Sequence, residues 1–220
     1  MASDTGAETV SDSPGETAPV RADEEMDWPR LAVYLREHLR PCPKGEMQVR
    51  QFPGGSANLT YLVRFDAAEY VVRRPPLGPV APGAHDMVRE HKVLSRLHEA
   101  FPRAPHCYLL CEDESVIGAK FIVTERRTGV VIRDQFPAAM LHHEGLARRT
   151  SFALVDALGD LHNVDPAAIG LADLGRPVGF VERQVQGWQR RWEAAKDHDV
   201  AGMDALHDQL ARQIPQPQRV

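Results

Sequence analysis

No run of 18 or more apolar residues occurs in the 220-residue chain, so no segment reads as a membrane span. The opening stretch MASDTGAETVSDSPGETAPV has neither a basic region nor an apolar segment and does not read as a signal peptide. Cysteine is scarce: Cys42, Cys107 and Cys111. A small odd number without metal-ligand spacing argues against a disulfide framework and for a reducing compartment, so a cytoplasmic location is expected. Cys107 and Cys111, four apart with no histidine pair to complete a zinc site, are read as packing residues. An excess of basic charge is also missing. Residues 1–27 hold eight of the 31 acids and one of the 26 Lys and Arg residues, leaving 23 acids against 25 bases. That balance carries no electrostatic footprint for duplex nucleic acid.

The chain is long enough to bury a core, as one domain or two small lobes. Its 43% hydrophobic and 26% charged residues are ordinary for a globular protein. Residues 1–24 are rich in Ser, Thr, Pro, Gly and acid, and are expected to be a disordered acidic tail. Asp27 before Trp28-Pro29 reads as an N-cap with an early helical proline. Leu31, Tyr34, Leu35 and Leu39 then form a helical stripe that ends at Pro41. MQVRQF, LTYLVRF and EYVVRR read as three antiparallel strands, with a helix over 85–99 and two further strands in CYLLCED and AKFIVTE. The expected fold is α+β, with one five-stranded antiparallel sheet and one main helix in a lobe over 25–127. From residue 133 to 213 the pattern is almost continuously helical, so 128–220 is expected to be part of a helical lobe.

The stretch FPGGSANLTYLVRFDAAEYVVRRPP, residues 52–76, carries chemistry. Glycines lack the Cβ that keeps backbone amides from an anion. Glu90 falls on the apolar stripe of its helix, with Met87 and Leu94. A carboxylate there is either solvated at the edge of the stripe or met by a cation. Strand alternation turns one of Arg73 and Arg74 toward that side of the sheet. A glycine-bearing hairpin beside a strand cation and a helix glutamate is the arrangement by which kinases hold nucleotide phosphates.

With these features the chain resembles the aminoglycoside phosphotransferase and choline kinase-like family, and within it the branch whose phosphotransferase domain is fused to acyl-CoA dehydrogenases. The resemblance rests on GGSANLTYLV, YVVRRPPLG, AHDMVREHKVLSRL, FIVTERRTGVVI, LGDLHNVD and GLADLGRPVGFVERQVQGW, in that order, over about residues 28–195. It implies a protein-kinase-like fold and transfer of the γ-phosphate of ATP, with Mg, to a hydroxyl of a small-molecule acceptor. By the same resemblance Gly54, Gly55, Ser56 and Asn58 lie over the phosphates. Arg73 takes the place of the kinase lysine and Glu90 is its helix partner. The segment from Val123 to Arg126 is the hinge, where the Thr124 carbonyl and the Arg126 amide pair with adenine.

The family's transfer chemistry needs a loop of pattern H-G-D-x-x-x-x-N and a later metal-binding aspartate. No histidine here begins such a run: His162 opens HNVD, His198 HDV and His207 HDQ. No catalytic residue and no metal ligand are therefore assigned, the chain is expected to be truncated, and it is expected to be inactive by itself. The alternative is a noncatalytic pseudokinase-like module that binds nucleotide or a protein partner covering the incomplete helical lobe. A third reading is a nonfunctional product. His162 reads as a C-terminal helix histidine. His142-His143 point about 100° apart if helical, so they are not read as a metal site. Trp188 and Trp192, with Val181 and Val185, read as helical-lobe core.

Overall fold

The Asp27 side chain accepts a hydrogen bond from the Arg30 N–H at 2.9 Å, capping α1 (Trp28–His38), which carries proline in its first turn. This is the start signal read from the sequence. The stripe it launches is buried: Leu31, Leu35 and Leu39 pack with Tyr61, Val63, Phe65, Val72, Phe121 and Val123 of the sheet in one apolar cluster. The computed structural model describes residues 16–53, 57–66, 68–78, 85–176 and 178–215.

The sheet contains β1 (Met47–Gln51), β2 (Leu59–Phe65), β3 (Ala68–Arg74), β4 (Cys107–Cys111) and β5 (Phe121–Glu125), in the order β1-β2-β3-β5-β4. Every neighbouring pair is antiparallel, as expected. Because side chains alternate, each strand splits its residues between two layers. Tyr61, Val63, Val72, Phe121 and Val123 meet α1. Ile122 lies on the other face and clusters with Cys107 and with Met87 of α2 (Met87–Ala100). Cys107 and Cys111 are both buried, in keeping with a packing role. One glycine before the sheet has a steric reason. Gly45 takes φ +87°, and a Cβ there would lie 1.9 Å from the Asp66 carboxylate, so a larger residue would both strain the backbone and clash.

Residues 16–24 depart from the disordered tail expected for 1–24. Ala18 forms a two-way backbone bridge with Gln51, at 2.8 Å in each direction. Thr17 is buried, and a short 3-10 turn covers Ala22–Glu24. The composition argument failed here because backbone pairing with a sheet edge needs little apolar surface. Residues 1–15 lie outside the described residues.

The continuous helical pattern expected from 133 also stops short. Residues 126–145 form no α-helix, and α3 (Leu146–His162) starts only after Gly145. His142 and His143 therefore sit in a turn, with their rings 3.9 Å apart. The chain divides into two compact units, residues 1–171 and 172–220. In the first, α3 leaves Phe152, Leu154 and Val155 exposed. The second contains α4 (Phe180–Ala195) and α5 (Met203–Arg212), with an apolar groove of about 560 Å³ between them. Val185, Trp188, Trp192, Leu206 and Leu210 line it, and Trp188 is 63% exposed. Trp188 is thus not a core residue of this unit. No described helix is long and apolar enough to cross a membrane.

Candidate functional site

Strand alternation decides which arginine serves the helix side. Val72 lies in the α1 cluster, so Arg73 must face the α2 layer and Arg74 the α1 layer. Arg73 Nη1 donates to Glu90 Oε1 of α2 at 2.5 Å, which settles the two readings of Glu90 in favour of the ion pair. The side chains remain 35% and 21% exposed, so the pair is half-open. Arg73 Nε is buried without a hydrogen-bond partner. A buried guanidinium nitrogen without an acceptor is costly, and an anionic oxygen arriving beside Arg73 would remove that cost.

Arg74 is fully committed elsewhere. Its Nη1 donates to the Ile117 carbonyl at 2.6 Å and its Nε to the Pro75 carbonyl at 3.2 Å, and burial lowers its pKa. It ties the end of β3 to the link between β4 and β5. No signal in the sequence separated this arginine from its neighbour except the alternation of the strand.

Helix α2 is aimed by its cap. The Asp86 side chain accepts from the Arg89 N–H at 3.0 Å, which puts Met87 in the core and Glu90 one turn further on. Asn58 Oδ1 lies 2.6 Å from His85 Nδ1, linking the end of the glycine-bearing turn to the residue before that cap. The sequence reading missed His85. Its backbone is left-handed, φ +56°, which nothing in the local pattern announces. Gly54, Gly55 and Ser56 lie outside the described residues.

At the other end of the face, Thr124 sits within the ladder, opposite Val71 of β3 and Cys107 of β4. The Glu125 N–H donates to the His106 carbonyl at 2.8 Å, so Glu125 turns its peptide groups toward β4. Alternation then turns those of Thr124 toward β3, where the ladder takes its carbonyl. The next peptide differs, because the His106 N–H is held by the Glu125 carboxylate at 3.1 Å. The Arg126 side chain is only 4% exposed and pairs with Glu69 Oε2 at 2.6 Å and Glu16 Oε2 at 3.1 Å. Glu69 also pairs with Arg64. Glu69 could have been found from sequence, since positions 69, 71 and 73 share one strand face. Glu16 could not, because a contact 110 residues away has no local signature.

Among the described residues no group of three or more His, Cys, Asp or Glu side chains is placed to hold a metal ion.

Burial also sets the titration of the sheet. The Tyr61 hydroxyl donates to the Glu24 carbonyl at 3.0 Å, and burial, then the charge of Glu24, push its pKa from 10.0 up to about 12. Burial pushes the Cys107 thiol from 9.0 up to about 11. Both groups are neutral when folded and ionise more readily unfolded. Their contribution to stability is whole below pH 9 and is lost as pH rises from 9 through 12. For Tyr61 alone the loss should reach roughly 2–3 kcal/mol. Melting temperatures measured between pH 8 and 11 should fall steeply, and the fall should be shallower for Tyr61→Phe. An unchanged slope in that variant would contradict the assignment.

Comparisons with known proteins identify the family. Residues 48–220 match the model of the "Phosphotransferase enzyme family". The chain is 35% identical over 203 residues to acyl-CoA dehydrogenase family member 11 of Gallus gallus, covering 90% of this chain and 26% of that protein. It is 31% identical to acyl-CoA dehydrogenase family member 10 of Mus musculus, covering 92% of this chain and 19% of that one. A crystal structure of a candidate aminoglycoside phosphotransferase from Ralstonia eutropha superposes with a TM-score of 0.69 at 31% identity, over 87% of this chain and 55% of that one. The chain thus spans about a quarter or less of the length of these relatives and about half of the solved neighbour. With the matched model covering most of its length, the chain belongs to the phosphotransferase enzyme family.

Proposed function

We propose that this chain is the nucleotide-binding part of an ATP-dependent phosphotransferase acting on a hydroxyl of a small-molecule acceptor in the cytoplasm. The observation that carries the reading is the Arg73–Glu90 pair, with its buried, unpartnered Nε, on β3 opposite Thr60 near the start of β2. Arginine keeps its charge throughout the accessible pH range and can bind two phosphate oxygens at once. It therefore positions phosphate and does not act as a base. Glu90 holds the guanidinium in place. Gly54, Gly55, Ser56 and Asn58 complete the phosphate cradle, and the base pairs with backbone groups from Glu125 onward, near Arg126. This moves the adenine contact one peptide past Thr124, whose carbonyl the ladder uses.

Magnesium, when bound, would neutralise charge on the phosphates; among the described residues no group of three His, Cys, Asp or Glu side chains is placed to hold it. Because it has no H-G-D-x-x-x-x-N run, the chain by itself should bind ATP and transfer nothing. Calorimetric titration with ATP, together with a phosphotransfer assay without added protein, tests this. Turnover by the chain alone, lost in Arg73→Ala, would overturn the incompleteness of the machinery, and absence of ATP binding would overturn the nucleotide reading. A second reading, a noncatalytic module with a protein partner, is favoured by the exposed apolar groove between α4 and α5.

A further inference from the structure

The face of the sheet that carries Arg73 is not left open at its hinge end. Residues 16–18 cross the face, from Ala18, bridged to Gln51 at the glycine-turn end of β1, to Glu16, whose carboxylate meets Arg126 at the hinge end. Arg50 alternates with Val49 and Gln51, which belong to the α1 side, and so points to the Arg73 face. It donates from Nε to Thr17 Oγ1 at 2.7 Å and from Nη2 to the Thr17 carbonyl at 2.9 Å. Glu16 reaches further, to Arg126. Arg126 in turn pairs with Glu69, four residues before Arg73 on the same face of β3. Four strand residues span about 13 Å, roughly the reach from the phosphates of a nucleotide to its base. The Glu16 carboxylate, itself 12% exposed, is therefore buried against the sheet where the base end of a nucleotide would lie. The backbone bridge of Ala18 to Gln51 on edge strand β1 anchors the segment behind it.

We propose that residues 16–18 form an autoinhibitory strap, latched by Glu16 to Arg126, which must lift from the hinge end of the face before a nucleotide can seat its base. The inference rests on the nucleotide reading above. The latch is made of one ion pair, the two hydrogen bonds from Arg50 to Thr17 and one backbone bridge, so opening exposes little apolar surface and costs little compared with unfolding the sheet. A strap closed about nine-tenths of the time lowers apparent ligand affinity about tenfold. By linkage, ATP must then favour the open strap to the same degree that the open strap favours ATP.

The test compares the full chain, Glu16→Gln/Thr17→Ala and a form lacking residues 1–18, each titrated with ATP. Hydrogen exchange of the Ala18 amide is followed in the full chain with and without ATP. The strap predicts about tenfold tighter binding in both altered forms, and faster Ala18 exchange when ATP is added. Equal affinity of all three forms leaves the nucleotide site standing and overturns the strap alone, as does slower Ala18 exchange with ATP. Absence of ATP binding in every form removes the nucleotide reading and the strap with it. The double substitution keeps the edge pairing of Ala18, so the comparison stands if the shortened chain fails to fold.

Discussion

Arg73→Ala is expected to weaken ATP binding by about 10- to 100-fold while leaving the melting temperature nearly unchanged. Hydrogen bonds involving a charged group contribute about 1.5–3 kcal/mol each, and about 1.4 kcal/mol is a factor of ten in affinity. Stability behaves differently because the pair with Glu90 is half-open. Ion pairs in contact with solvent contribute about 0–1 kcal/mol, and Glu90 can hydrate once its partner is gone. Deleting the guanidinium also deletes the buried, unpartnered Nε, which offsets part of the loss. Arg73→Lys should fall between, since it keeps the charge but not the two-pronged geometry. Glu90→Gln should weaken ATP binding less than Arg73→Ala does, because it leaves the cation present but poorly aimed. An Arg73→Ala protein that binds ATP as well as the parent would remove Arg73 from the site.

The largest effect on stability is expected at the contact of α1 with the sheet. Leu35 is 0% exposed at the centre of that cluster. Leu35→Ala should cost about 2–5 kcal/mol, from lost transfer energy plus the cavity left among Tyr61, Phe121 and their neighbours. The urea midpoint should shift accordingly. Leu154 on α3 is 70% exposed, and Leu154→Ala should stay within about 0.5 kcal/mol. A Leu35→Ala chain with an unshifted midpoint would show that α1 does not hold the sheet. A large loss at Leu154 would show that α3 is covered by apolar contacts in solution.

These expectations divide by how much each depends on distant residues. The strands were legible because their β-branched and aromatic runs alternate between two layers, and the structure returns Leu59–Phe65 and Ala68–Arg74 within a residue of the reading. Helix α1 was legible because Asp27, Pro29 and the leucine stripe point the same way. Glu90 stood out because a carboxylate on an apolar stripe needs a cation. The irregular stretch over 133–145 was not legible, since its apolar and charged residues imitate a helical pattern while the structure leaves such residues as Leu141 exposed.

By itself, the sequence determined the five strands, the two helices of the sheet lobe, the candidate pair of Arg73 or Arg74 with Glu90, and the absence of the H-G-D-x-x-x-x-N run. All of these follow from local periodicity, caps or spacing. Only the tertiary structure decided that Arg73 meets Glu90 while Arg74 braces the Ile117 carbonyl, that the ladder takes the Thr124 carbonyl, and that Glu16 closes on Arg126. The physical reason is that strand order, register and the docking of a polar segment on a sheet edge are set by hydrogen bonds and ion pairs between residues far apart in the chain. Such pairings leave no period in the sequence.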